Sequence, residues 1–253
     1  MRHKFLALLL LTLIAASAVI VWKHDSVDSP GSKPTTSKPA SVKPASNFNK
    51  SLYSRTDPSS IWVVVNKQHA LNPKDYVPVD LVFPAVALRV PGNESMQLRQ
   101  SAATALETMF KAAAADGISL MLSSGYRSYT YQVNLYNGYV QMQGQATADT
   151  QSARPGYSEH QTGLAADVEP ADRSCELEAC FADTPAGKWI AAHGYEYGFI
   201  VRYLSGKEDT TGYEPEPWHL RFVGVELATE MHRTHVVTLE EFFNITGGKL
   251  YTE

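Results

Sequence analysis

SEHQTGLAADV at residues 158–168 and EPWHLRF at residues 216–222 are the stretches that decide how this chain folds. In the first, Gly163 argues against a continuous helix, and apolar residues alternate with the others from Leu164 onward. The second alternates in the same way from Trp218. Two half-buried strands are therefore predicted.

The polar residues of these stretches have the chemistry of a catalytic metal site. Asp167 and His219 point away from the apolar side of their strands, and His160 lies in the loop before the first strand. Two imidazoles and a carboxylate can hold a catalytic zinc ion with a fourth position open for water. An ordinary surface His–Asp pair is the alternative, because this spacing is less specific than HExxH.

Glu216 is the candidate general base. It lies three residues before His219, and Pro217 keeps it extended, so its carboxylate could lie over the open position without being a ligand. There it could take a proton from the attacking water and pass it to the leaving amine. Glu214 is a rival for this role.

Composition describes an ordinary globular protein. Of 253 residues, 44% are apolar and 19% charged, and the formal net charge is −4. Without a strong field of either sign, nucleic-acid binding is not expected.

The N-terminal segment predicts export. Basic residues at positions 2–4 precede an uncharged run from Phe5 to Trp22, which is near the lower length limit for a membrane span. We predict a signal-anchor over residues 1–22, with the rest of the chain extracytoplasmic. Ala16-Ser17-Ala18 resembles a cleavage site, so a cleaved signal peptide and a secreted protein are the alternative.

Residues 23–50 predict a linker, and residues 51–253 a single folded domain. Lys-Pro recurs three times in the linker among Ser, Thr and Ala, a composition that buries too little surface to fold. The domain contains both cysteines, Cys175 and Cys180. Because an exported chain meets oxidising conditions, a local disulfide is favoured over free thiols or metal ligands.

The remaining pattern predicts an α+β domain with an antiparallel sheet. Helices are expected over 96–116, from Ser128 to about Gly144, from Thr184-Pro185 to Gly194, and after a capping box of Thr238 and Glu241. Strands are expected at 61–65, 118–123, 164–169, 198–203 and 218–223.

Three motifs also carry a family resemblance. SSGYRSYTYQ at 123–132, SEHQTGLAADV at 158–168 and EPWHLRFVG at 216–224 resemble the VanY-type D-alanyl-D-alanine carboxypeptidases. These belong to the LAS group of zinc peptidases, together with the LD-carboxypeptidases that act on tetrapeptide stems. The resemblance runs from about Leu71 to Gly224 and implies a LAS-type domain, a small antiparallel sheet flanked by helices.

The resemblance also implies roles for individual residues. His160, Asp167 and His219 fall on the zinc ligands and Glu216 on the catalytic base. Arg127 would hold the terminal carboxylate or the developing oxyanion. Gln132, Ser158 and Tyr203 match substrate contacts, although Gln132 and Ser158 could instead cap backbone and Tyr203 could instead pack.

The implied function is a zinc carboxypeptidase that removes the C-terminal D-Ala from peptidoglycan stem peptides, at a D,D or an L,D bond. We expect a monomer whose partners are the stem peptide and, through its N-terminal segment, the membrane. The alternatives are a LAS-type endopeptidase that cuts inside cross-links and a non-catalytic module that binds the cell wall.

Overall fold

A computed structural model describes residues 48–252 of the chain. The predicted membrane segment and all but the last residues of the predicted linker lie outside this range. Phe48 stacks on Trp62 with ring centroids 5.4 Å apart, and Lys50 Nζ donates to the Phe242 carbonyl at 2.5 Å. These two residues, assigned to the linker from the sequence, pack on the domain. Within the described range, no helix has the length and apolar character needed to span a bilayer.

Short strands and helices alternate along the domain without a repeating βαβ pattern. The strands are β1 Leu81–Val82, β2 Leu98–Arg99, β3 Leu120–Ser124, β4 Ala165–Pro170, β5 Phe199–Tyr203 and β6 Glu216–Phe222. The helices are α1 Gln100–Ala115, α2 Tyr129–Gln143, α3 Gln145–Gln151, α4 Pro185–His193, α5 Glu208–Thr211, α6 Val225–Thr234 and α7 Leu239–Phe243.

The main sheet has the strand order β3-β4-β6-β5, and every neighbouring pair is antiparallel. Between β4 and β6 the register places Asp167 directly opposite His219, and between β3 and β4 it places Ser124 opposite Asp167. The prediction of an α+β fold with a small antiparallel sheet is confirmed. The sheet therefore joins the two stretches that the sequence singles out.

One face of this sheet packs on α1. Leu106 and Met109 of α1 are fully buried, as are Leu122 of β3, Val168 of β4 and Leu220 of β6. Burying a side chain of this size contributes roughly 1.5–3 kcal/mol relative to leaving it in water. Because strand residues alternate between faces, the same burial directs Asp167 and His219 to the opposite face.

The predicted helix caps are confirmed. Ser128 accepts a hydrogen bond from the Tyr131 amide, and Thr184 accepts one from the Gly187 amide. Thr238 accepts one from the Glu241 amide, and its hydroxyl donates to the Glu241 carboxylate at 3.0 Å. Each cap satisfies an amide that has no partner inside its helix.

The prediction of a strand over residues 61–65 is wrong. The segment is buried but forms no ladder, and the carbonyls of Ile61 and Val63 accept hydrogen bonds from Arg221 Nη2 instead. A guanidinium thus supplies the donors that a neighbouring strand would have supplied.

The prediction that the first long helix begins near residue 96 is also wrong, because α1 begins at Gln100. Leu98, which fits the helical period, pairs with Val82 in the two-stranded sheet of β1 and β2.

Candidate metal centre and catalytic groove

His160, Asp167 and His219 come together on the side of the sheet that faces away from α1. Asp167 and His219 are on adjacent strands, and His160 is in a 3-10 turn at Glu159–Thr162 that leads into β4. Gly163 ends that turn with φ +66°, a left-handed conformation, and a Cβ atom there would lie 2.9 Å from Leu81 Cδ2. Glycine is therefore required for the turn that delivers His160.

The donor set fits a zinc ion. One ligand atom from each residue lies within 4.8 Å of the others, and all three residues are buried. His160 Nε2 lies 3.2 Å from Asp167 Oδ2, and His219 Nδ1 lies 3.2 Å from Asp167 Oδ1. Donors about 2.0–2.1 Å from a tetrahedral zinc ion are separated by roughly this distance. Asp167 Oδ1 is also buried without a well-directed hydrogen bond from the described residues, as expected of an oxygen that binds an ion.

The second ring nitrogen of each histidine has a different partner. His160 Nδ1 lies 2.6 Å from the Gly125 carbonyl, and His219 Nε2 lies 3.4 Å from Glu159 Oε2. Both partners are acceptors, so with a metal ion bound at Asp167 each ring would carry its proton on the nitrogen that faces away from Asp167. Nε2 of His160 and Nδ1 of His219 would then offer the ion converging lone pairs.

These surroundings shift the two imidazole pKa values in opposite directions. Burial, aided by the charge of Arg127, lowers the pKa of His160 to about 4 although Asp167 acts against it. Burial also disfavours charge on His219, but the adjacent carboxylates of Asp167 and Glu159 outweigh it and raise the pKa of the ring to about 9. His160 is therefore held neutral, whereas His219 lies in the more negative environment.

Glu216 is placed for proton transfer beside the ligand set. Its Oε2 lies 3.6 Å from His219 Nδ1, and its side chain is 19% exposed toward the groove. Burial raises the pKa of Glu216 to about 7, with Asp167 and Glu214 adding to the rise and His219 opposing it. The rival Glu214 accepts a hydrogen bond from the Thr150 hydroxyl at 3.1 Å on the groove rim.

Arg127 also contacts the carboxylate of Asp167. Its Nη2 donates to Asp167 Oδ2 at 2.7 Å, and its Nε donates to Ser124 Oγ at 3.1 Å. The guanidinium also borders the groove, so it can face negative charge on a bound substrate.

Of the residues predicted to contact substrate, two line the groove and one is buried behind its wall. Ser158 and Tyr203 line a groove of about 710 Å³ that contains the metal ligands, and the Ser158 side chain does not cap the following turn. Gln132 is not among the lining residues. It is fully buried, and its Nε2 donates to Ser152 Oγ and to the Ala153 carbonyl, two residues that do line the groove.

A disulfide loop also borders the groove. Cys175 and Cys180 are joined, with Cα atoms 5.6 Å apart, and Glu176 and Leu177 of the loop line the groove. Glu176 forms ion pairs with Arg89 and Arg173.

Sequence reasoning missed the charged residues behind the metal centre. Glu159, Arg202 and Arg221 have fully buried side chains, and Arg202 Nε and Arg221 Nη1 both donate to Glu159 Oε1 at 2.8 Å. One indication of them was present in the sequence: Arg202 and Arg221 lie among the apolar residues of FIVRY and EPWHLRF. An arginine buried in such a strand needs a buried carboxylate as its partner.

Comparison with known proteins identifies the family. The family model described as VanY, D-alanyl-D-alanine carboxypeptidase, matches residues 95–225. The chain belongs to the VanY family. YodJ of Bacillus subtilis is 45% identical to this VanY-family chain over 188 residues, which are 74% of this chain and 68% of that protein.

Two solved structures have the same fold. The LdcB LD-carboxypeptidase has a TM-score of 0.70 and 44% identity, over 75% of this chain and 88% of its own. The vancomycin-resistance D,D-pentapeptidase VanY, solved in complex with Zn(II), has a TM-score of 0.59 and 31% identity, over 72% of this chain and 98% of its own. The prediction of a zinc-dependent carboxypeptidase of the LAS group is confirmed.

Proposed function

We propose that this chain removes the C-terminal D-alanine from peptidoglycan stem peptides, with the L,D bond of the tetrapeptide as its preferred target. The observation that carries the proposal is the convergence of His160, Asp167, His219 and Glu216 in one groove. The higher identity to LdcB than to the D,D-pentapeptidase VanY favours the L,D bond. Cleavage of the D,D bond of the pentapeptide is the second candidate, supported by the description of the matching family model.

His160, Asp167 and His219 would hold Zn²⁺, which when bound supplies Lewis-acid chemistry that acidifies water and polarises a carbonyl group. Glu216 is near enough to the ligands to take a proton from the attacking water and give it to the leaving amine. Arg127 stabilises negative charge on the terminal carboxylate or on the developing oxyanion. Ser158 and Tyr203 line the same groove and would contact the substrate.

The test is release of D-alanine from tetrapeptide and pentapeptide stems by the purified protein. Glu216→Gln should lower kcat on the order of 10²–10⁴-fold and retain zinc, because it removes a proton-transfer group and no ligand. Glu214→Gln is the matched control and should lower kcat far less, since the Glu214 carboxylate is hydrogen-bonded to Thr150. Full activity of Glu216→Gln would contradict the assigned base. Cleavage inside cross-links, seen by mass spectrometry of the products, would favour the endopeptidase alternative.

We also propose that the enzyme acts outside the cytoplasm. The uncharged run from Phe5 to Trp22 supports export, and the Cys175–Cys180 disulfide is typical of an oxidising compartment. Membrane attachment and the monomeric state stay predictions. Finding the protein in the cytosolic fraction of fractionated cells would contradict this location.

A further inference from the structure

The acceptor behind His219 differs in kind from the acceptor behind His160. His160 meets a neutral backbone carbonyl, whereas His219 Nε2 meets a carboxylate oxygen of Glu159. Glu159 lies within the SEHQTGLAAD stretch but at none of the positions through which that stretch resembles the family. Glu159 is not placed to be a metal ligand, because its carboxylate contacts His219 Nε2, the ring nitrogen that faces away from Asp167.

The two oxygens of Glu159 have separate partners. Arg202 Nε and Arg221 Nη1 both donate to Oε1 at 2.8 Å, and the imidazole of His219 approaches Oε2. Oε1 thus receives both guanidinium contacts, which orients the carboxylate and directs Oε2 at the ring. A carboxylate has enough lone pairs to accept all three hydrogen bonds.

Both arginines are themselves held in place. Arg202 forms two hydrogen bonds with Glu240 of α7, at 2.6 and 2.9 Å, and Arg221 donates to the carbonyls of Ile61, Val63 and Phe222. The four side chains Glu159, Glu240, Arg202 and Arg221 are almost fully buried, and their formal charges cancel. A carboxylate in such a site cannot rotate without breaking buried ion pairs, which is strongly unfavourable.

We propose that Glu159 is a positioning residue of the metal centre, which holds the His219 ring with its proton on Nε2 and with Nδ1 free to bind the ion. The proposal rests on the zinc site of the proposed function and adds a residue that acts through His219. Acceptors behind ligating histidines determine which ring nitrogen is protonated, and their loss typically lowers metal affinity 10–100-fold.

Glu159→Gln tests this by reversing the hydrogen bond. The two guanidinium groups require an acceptor, so the amide oxygen must face them and the amide NH₂ must face His219 Nε2. That NH₂ would place the ring proton on Nδ1, the atom that should bind zinc. We expect zinc affinity, measured by competition with a chelator, to fall 10–100-fold. We also expect ¹⁵N NMR of the zinc-loaded proteins to show a His219 proton on Nε2 in the wild type and to lose that signal in Glu159→Gln.

Glu240→Gln is the matched control. Glu240 is buried and binds the same Arg202, but it does not touch His219. Its zinc affinity and its His219 tautomer should match the wild-type protein even though the free energy of unfolding falls. Equal losses of zinc affinity in the two variants would reduce Glu159 to a purely structural role and overturn the proposal.

A second variant keeps the proposal testable if Glu159→Gln does not fold. Glu159→Gln/Arg221→Met removes one charge of each sign, so the buried charges still cancel, and it should show the same loss of affinity and the same loss of the His219 Nε2 proton signal. If neither variant folds, the spectrum of the zinc-loaded wild-type protein decides: a His219 Nε2 proton that exchanges slowly with water supports the proposal, and its absence overturns it. A wild-type protein that binds no zinc would overturn the metal centre itself, whereas a Glu159→Gln protein that binds zinc normally would overturn only this inference.

Discussion

Two charged clusters with the same composition lie near the catalytic groove. The buried cluster behind the metal centre consists of Glu159, Glu240, Arg202 and Arg221. The loop cluster beside the disulfide consists of Glu169, Glu176, Arg89 and Arg173. Each has two carboxylates and two guanidinium groups, so their formal charges cancel equally.

Burial separates the two clusters. All four side chains of the buried cluster are at most 2% exposed, whereas in the loop cluster Glu169 is buried and the other three side chains are 27–53% exposed. Water solvates the exposed charges when an ion pair breaks, but it cannot reach the buried ones. The same set of charges can therefore form a rigid buried support behind a histidine in one place and a solvated border of a groove in another.

The largest expected effect on stability comes from Arg202→Met. This change leaves Glu240 without its bidentate partner and Glu159 with one guanidinium in place of two. Breaking a buried pair from one side typically costs on the order of 3–5 kcal/mol of unfolding free energy. Urea denaturation measures it, and a loss no larger than that of a surface variant would show that the buried cluster is not distinct.

A smaller effect is expected from the double variant Cys175→Ser/Cys180→Ser. The disulfide closes a loop of sequence separation 5, and chain entropy predicts a cost of about 2 kcal/mol. Arg173, Cys175 and Leu177 all have positive φ, a conformation that non-glycine residues rarely adopt. Zinc affinity should not change, since the loop supplies no ligand. A fall in zinc affinity would mean that the loop end and the metal centre are coupled.

The smallest effect is expected from Glu176→Gln in the loop cluster. Its partners Arg89 and Arg173 remain solvated after the change, so the free energy of unfolding should shift too little for urea denaturation to resolve. Glu159→Gln, the equivalent change in the buried cluster, is the direct comparison. Similar unfolding curves for the two variants would remove the distinction between the clusters.

The part of the site that faces substrate was largely predictable. Alternation along 164–169 and 218–223 placed Asp167 and His219 on the faces opposite their apolar neighbours, and the sheet register places them opposite each other. The resemblance added Arg127 and Tyr203, which border the groove. The layer behind the site was not predictable, because nothing near Arg202 or Arg221 in the sequence identifies a buried carboxylate as the partner of either.

Local sequence determined which segments form helices and strands and which residues can bind a metal, because capping, alternation and side-chain chemistry act over a few neighbouring positions. Only the tertiary structure decided which acceptor lies behind each imidazole, since Gly125 meets His160, and Arg202 and Arg221 meet Glu159, across distant parts of the chain. It also decided that residues 61–65 form no strand. The carbonyls of Ile61 and Val63 accept hydrogen bonds from Arg221 of β6. A buried carbonyl needs a hydrogen-bond donor, but its own sequence does not determine whether that donor is a neighbouring strand or a side chain.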